Sequence, residues 1–223
     1  MMDSTQRKSI RERFLLVDSA NVADVLDDLG LPDLGLSPEF KPASGTRLAG
    51  RAYTIAGQMM PYDGSGDPKK MEACHGIGPD EVSVWSGNGD GICYFGELIA
   101  LGMAQRGSTG ALVDGGVRDT RALREHEFPV FARYRTPVQS IGRWKVTEYQ
   151  VAVAVLGATV KLVTVNPGDF ILADEDGAVV IPQGRVEEVL DRAEAMTRSE
   201  VSVREALKGG MSLSDALDKF GHV

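Results

Sequence analysis

Two cysteines in 223 residues, Cys74 and Cys93, are too few for a disulfide framework, and they lack the spacing of a metal site. So low a count suggests a reducing compartment, although one bridge between the two stays compatible with the sequence. No stretch approaches the roughly 20 apolar residues of a membrane span. The start of the chain, MMDSTQRKSIRERF, has no apolar core of signal-peptide length. The expectation is therefore a cytoplasmic protein without a membrane partner. No basic run offsets the net charge of −8, which argues against a nucleic-acid partner but not against small anions. The glycine-rich turn at 86–91, SGNGDG, lacks the Gly-Lys-Ser/Thr ending of a phosphate loop, and it does not give a dinucleotide fingerprint opening a helix. Internal repeats and low-complexity tracts are missing too. What remains is 43% hydrophobic and 25% charged, ordinary for a globular chain of one large domain.

The chain is organised around residues 93–121, CYFGELIALGMAQRGSTGALVDGGVRDTR. Leu98, Leu101, Gly102 and Gln105 fall at helical spacing, and Gly107 and Gly110 stop that helix. Ala111-Leu112-Val113 reads as a short strand, which Asp114-Gly115-Gly116 is expected to break. Two glycine turns thus flank one helix–strand unit. If both lie at one end of a sheet, the amides of Gly96, Glu97, Leu98 and Ile99 form an anion-receiving helix start. Arg118 adds a planar, permanently charged fork for a carboxylate. Asp119 offers a hard oxygen ligand and Glu97 a second acidic group. Taken singly, each has a structural explanation: a cap, a solvated ion pair, a plain turn. Their combination is what points to chemistry.

Elsewhere the pattern predicts a mixed α/β domain with parallel and antiparallel pairing. Residues 4–16 are charged, and helical or frayed. Asp18 or Ser19 is placed to cap a helix in which Val22, Val25, Leu26 and Leu29 share a face, and Gly30 ends it. Residues 48–56 read as a strand with a candidate bulge at Gly50. Residues 57–79, rich in Gly, Asp, Pro and Lys, read as irregular, with His75 structural or exposed. Short strands are expected at 82–85, 130–132, 146–155 and 160–165, and a hairpin at 170–181 turning through Asp174-Glu175-Asp176-Gly177. Residues 185–207 form an amphipathic helix that weakens near Arg198-Ser199. A last helix at 212–220 is capped by Ser212, with Asp215 three residues on.

Four segments in order resemble the RraA-like family, which includes the 4-hydroxy-4-methyl-2-oxoglutarate aldolases. They are Ala20 to Asp27 with Leu29-Gly30; Leu48-Ala49-Gly50-Arg51-Ala52-Tyr53-Thr54; Gly96-Glu97-Leu98-Ile99 with Asp114-Gly115-Gly116-Val117-Arg118-Asp119; and Val165 to Asp169 running to Pro182. The resemblance covers about residues 18–192. It implies a single domain over 1–223, a layered β/β/α swivelling-type fold with peripheral N- and C-terminal helices, and a C-terminal arm from about 193. It further implies a homo-oligomer, trimer or hexamer. Residues 57–79 depart most from the family, which usually carries a shorter link there, and this puts substrate choice in doubt.

The resemblance implies a lyase, an aldolase or decarboxylase that uses Mg²⁺, Mn²⁺ or another divalent metal on a small 2-oxo acid. Cleavage beside a pyruvoyl group, or decarboxylation of oxaloacetate, leaves a pyruvate enolate whose charge a metal can stabilise. On this expectation Asp119 is the metal ligand. Arg118 and the amides at Gly96, Glu97, Leu98 and Ile99 hold the pyruvoyl end, and Glu97 orients a water that takes or returns a proton. No lysine adjoins the unit to suggest a Schiff base, although one could come from elsewhere in the fold. The alternative is a non-catalytic regulator that binds a ribonuclease or another protein, like the family's namesake. That namesake lacks the acidic residue after the arginine, so Asp119 favours the enzyme. A quinone-precursor methyltransferase activity has also been attached to the family, but no methyl-donor motif supports it here.

Overall fold

The computed structural model describes residues 10–87 and 89–221. The expectation for residues 4–9 lies outside the described residues. Strand β2 (Leu48–Met59) is the spine of the fold. One edge pairs in parallel with β3 (Glu81–Ser86), from Arg51↔Glu81 to Ala56↔Ser86. The other edge is shared by two antiparallel strands. The strand β10 (Phe170–Ala173) takes its first half and β7 (Trp144–Tyr149) its second. Beyond β3 come β5 (Gly110–Val117), parallel to it, then β6 (Val130–Arg135), also parallel, and β1 (Lys41–Ser44), antiparallel. A short β4 (Cys93–Phe95) continues along β5 past the end of its β3 pairing. The strand β11 (Ala178–Ile181) closes the opposite edge against β10. Nine described strands thus form one mixed sheet, and β8 (Val153–Leu156) pairs with β9 (Leu162–Val165) as a separate antiparallel hairpin.

Strand alternation sends neighbouring side chains to opposite faces of this sheet. Tyr53, Ile55, Trp85, Ala111 and Val113 face a core completed by Ala73, Met103 and Leu123. These last three come from α2 (Pro68–Gly76), α3 (Glu97–Ala104) and α4 (Thr120–Glu125). Ala52, Val82, Val84, Leu112 and Phe131 face the other way, onto Val153, Val155, Val163 and Val165 of the β8–β9 hairpin. The result is the layered β/β/α arrangement. A third cluster joins β10 and β11 to α1 (Ser19–Asp28) and α5 (Val186–Lys208) through Val22, Leu26, Phe170, Val189 and Leu190. Residues 10–14 are helical, and Phe14 stacks on Phe170 at 4.5 Å. The last helix, α6 (Leu213–Phe220), is capped as expected, with Ser212 Oγ accepting from the Asp215 amide. No helix among the described residues is long and apolar enough to cross a membrane.

Several local expectations change once tertiary contacts act. Asp114-Gly115-Gly116 does not end β5. The strand runs through to Val117, with a register shift between Val113 and Gly116. The glycines serve close packing: a β-carbon on Gly115 would stand 2.1 Å from the Tyr94 ring. Gly50 lies in regular pairing, and the irregularity in β2 falls at Ala56/Gly57. A β-carbon on Gly50 would meet the Asp80 carbonyl at 2.8 Å. Neither Asp18 nor Ser19 caps α1 with its own side chain. Asp174, 155 residues away, accepts from the Ser19 amide and hydroxyl. Residues 146–155 divide into two strands, and α5 is continuous past Arg198. The segment 57–79 prolongs β2 and contains α2. Both cysteines are unpaired.

Candidate active site

The helix α3 begins at Gly96, which is extended at φ −163° and ψ −176° and carries no capping side chain. Its carbonyl accepts the first intrahelical bond, from Ala100. The amides of Glu97, Leu98 and Ile99 therefore precede the intrahelical ladder and can donate outward. One is taken from outside: Asp119 Oδ2 accepts from the Glu97 amide at 3.3 Å. The glycine is required sterically. A β-carbon on Gly96 would stand 2.7 Å from Asp119 Oδ2 and 3.2 Å from Arg118 Cγ.

Arg118 and Asp119 arrive on the turn after β5. The Arg118 amide donates to the Phe95 carbonyl at 3.1 Å, which pins this turn against the chain entering α3. Asp119 sits in the left-handed region at φ 58° and ψ 30°. Few non-glycine residues adopt that conformation, and asparagine and aspartate do so most readily. It turns the carboxylate back toward α3, 3.4 Å from Arg118 Nε, with its side chain 40% exposed. Glu97 pairs with His126 Nε2 at 3.2 Å, a partner contributed by the residue just after α4.

All six residues singled out from the sequence, Gly96, Glu97, Leu98, Ile99, Arg118 and Asp119, line one cleft of about 710 Å³. That volume falls within the range of small-molecule sites. The rest of the lining comes from elements that the sequence pattern does not connect with the site. Asp67, Lys70 and Met71 come from the start of α2, Gln139, Ser140 and Ile141 from the turn before β7, and Trp144 from β7 itself. Asp67 caps α2, accepting from the Lys70 amide at 3.0 Å, and also accepts from Val146 at 2.8 Å. One carboxylate thus ties α2 to β7 and places Lys70. The Asp67-Pro68 pair, a cap followed by proline at the first helical position, is the signal that could have revealed α2.

Lys70 is 8% exposed. Its ammonium donates to the Tyr94 carbonyl and, at 3.5 Å, to Ser140 Oγ. It lies 5.3 Å from the Trp85 ring centroid and 5.7 Å from that of Trp144. Burial pushes its pKa below the ordinary lysine range; Arg118 pushes the same way, against Cys74, Asp67 and Cys93. Burial also pushes the Cys93 thiol up, opposed by Arg118 and Lys70, so this cysteine is a neutral wall residue.

Among the described residues no group of three or more His, Cys, Asp or Glu side chains is gathered as a metal cage. The donor set present, Asp119 with its side chain 40% exposed and Glu97 in the same cleft, fits Mg²⁺. That ion keeps several waters and is held through one or two carboxylates.

The chain is similar to several known proteins. Over 99% of its length the chain is 29% identical to the protein DlpA of Legionella pneumophila, but it spans only 35% of that longer protein. It is 28% identical to a putative 4-hydroxy-4-methyl-2-oxoglutarate aldolase of Halalkalibacterium halodurans, with 94% of each chain covered. Among solved structures it resembles Streptomyces coelicolor RraAS2, described as an unusual member of the RNase ES inhibitor RraA protein family. The TM-score is 0.73 at 26% identity, covering 91% of this chain and 97% of that one. The family model described as RraA-like, Aldolase/RraA, matches residues 19–180, a span that holds both glycine turns and Lys70; the chain belongs to the RraA-like family.

Proposed function

We propose that the protein is a divalent-metal-dependent lyase that cleaves a C–C bond of a 2-oxo acid, as an aldolase, an oxaloacetate-type decarboxylase or both. The observation that carries this reading is the convergence of Arg118, Asp119 and the open start of α3 on one cleft. The free amides and the Arg118 fork suit the carboxylate and keto oxygen of a pyruvoyl group. Asp119, with Glu97 beside it, would hold Mg²⁺ or Mn²⁺, which when bound supplies Lewis-acid stabilisation of charge developing on the keto oxygen. Glu97, oriented by His126, is placed to hold a water that takes or returns the proton. The names of relatives such as the Halalkalibacterium halodurans protein support an aldolase of this kind.

One observation favours a role in protein binding as well. Leu98, 78% exposed, and Ile141, 49% exposed, present apolar surface at the cleft mouth. In this proposal a second copy covers them in a homo-oligomer, a trimer or hexamer, acting in the cytoplasm. In the regulator reading, supported by the likeness to RraAS2, the covering partner is a ribonuclease. The deciding experiment is pyruvate release from a panel of 2-oxo acids across a Mg²⁺ or Mn²⁺ titration. Metal-dependent turnover establishes the lyase. Its absence on every substrate, with capture of a ribonuclease, establishes the regulator.

A further inference from the structure

Lys70 is a buried cation in a cleft that already holds one. Among the described residues its two hydrogen-bond partners, a carbonyl and a hydroxyl, are uncharged, which leaves the third ammonium hydrogen without an acceptor there. Taking a charge out of water is costly, and Arg118 adds like-charge repulsion in the same cleft; the attraction of Asp67 does not outweigh the burial. A helix N-terminus contributes further positive potential there. Apart from Asp119 and Glu97 at the mouth and the capping Asp67, the lining holds no acid. Of these three, Asp67 is already engaged by the Lys70 and Val146 amides.

Lys70 and Arg118 both line this cleft, and two cations in one cleft match a ligand with two negative groups. We propose that Lys70 receives the second, distal carboxylate of a 2-oxo diacid whose pyruvoyl end is held by Arg118 and the free amides of Leu98 and Ile99. This rests on the 2-oxo acid reading given above and adds to it the group that selects the substrate. The apolar lining residues Met71, Ile141 and Trp144 suit the carbon chain between the two carboxylates. The indoles of Trp85 and Trp144 and the bond to Tyr94 hold the ammonium in place before the ligand arrives, so little side-chain freedom is lost on binding.

The groups facing the ammonium are Asp67 and Cys74 on its own helix, Cys93 from β4 and Arg118 after β5. Burial pushes both thiols up and the Lys70 ammonium down, so the ammonium loses its charge at a lower pH than an exposed lysine does. Diacid affinity should therefore fall with rising pH while monoacid affinity does not.

The test uses the whole protein with Mg²⁺ and two matched pairs of unreactive ligands, 2-oxoglutarate against 2-oxopentanoate and 2-oxoadipate against 2-oxohexanoate. Each pair differs only in a terminal carboxylate. Calorimetry should show the wild type preferring a diacid by about tenfold or more, the scale of one charge-assisted contact. Lys70→Met should erase that preference while leaving monoacid affinity within about threefold, on the same scale. Lys70→Arg keeps the charge and should keep part of the preference, which protects the test if the methionine variant folds poorly. A diacid preference that falls with rising pH in the wild type, with no such pH dependence in Lys70→Met, is a readout that a purely structural lysine would not move. Equal affinity for both members of both pairs, or a preference that survives in Lys70→Met, overturns the assignment but leaves the 2-oxo acid site standing. If the wild type binds none of the four, that reading and this one fall together.

Discussion

Asp119 Oδ2 lies 2.7 Å from where a β-carbon on Gly96 would stand, and 3.3 Å from the next amide along, that of Glu97. The turn carrying the charged pair and the start of α3 are thus in contact, with no room for a methyl group between them. Gly96→Ala should push Asp119 and Arg118 aside. The backbone at Gly96 is extended and available to alanine, so folding is little affected. A displacement of this kind typically costs about a hundredfold in turnover. We expect a loss of that order in kcat/KM for pyruvate release with the melting temperature nearly unchanged. A variant as active as the parent would remove the need for this close approach.

Asp119→Asn separates ligand chemistry from folding. Asparagine tolerates the left-handed conformation as aspartate does, and the side chain is half-exposed. The stability change should stay within about 0.5 kcal/mol. An amide is a poor ligand for Mg²⁺, so metal-dependent cleavage should vanish. Metal titration of activity beside thermal melts of both proteins checks this. Parent-like turnover at saturating Mg²⁺ would show that Asp119 is not the ligand.

Arg118→Lys conserves charge but not the planar fork. The Arg118 amide anchors the turn on the Phe95 carbonyl, and the guanidinium lies against Asp119, Nε to Oδ2 at 3.4 Å. An ammonium cannot make the paired contacts to a carboxylate. The expected loss is about 2 kcal/mol or more in kcat/KM, the range of a charge-assisted contact. Steady-state kinetics on a responsive 2-oxo acid decide it.

Lys70 also predicts a pH signature in stability. Its folded pKa lies below the ordinary value of 10.5, so between the two the unfolded chain binds the extra proton. Stability from this group therefore rises with pH through that window. Buried Tyr53 and Tyr94 and partly buried Cys74, whose pKa values are pushed up, act in the opposite sense at alkaline pH. The difference between wild type and Lys70→Met isolates the lysine. The gap in denaturant midpoint should shift toward the wild type as pH climbs toward 10.5. A pH-independent gap would mean that the ammonium is not desolvated.

What the sequence alone determined is what acts over a few residues. Glycine stops α3 at its C-terminal end and opens it at Gly96. Ser212 caps α6 through a contact three residues away. The Arg118-Asp119 pair follows a glycine-bearing strand end closely enough to be seen as one unit with the helix before it, and the structure brings all six of those residues to one cleft. The tertiary structure decided what depends on partners distant in the chain. Asp174 reaches 155 residues back to Ser19, a bond no local pattern announces. His126 meets Glu97 only because α4 packs beside α3. Lys70 lies in a segment whose composition reads as irregular, and it reaches the site because Asp67 both caps α2 and bonds Val146 on β7. Its burial between Trp85 and Trp144 is produced by two strands that meet on opposite edges of β2. A side chain's charge is written in the sequence, but the solvent and the neighbours that give that charge its chemistry come from the packing of the whole sheet.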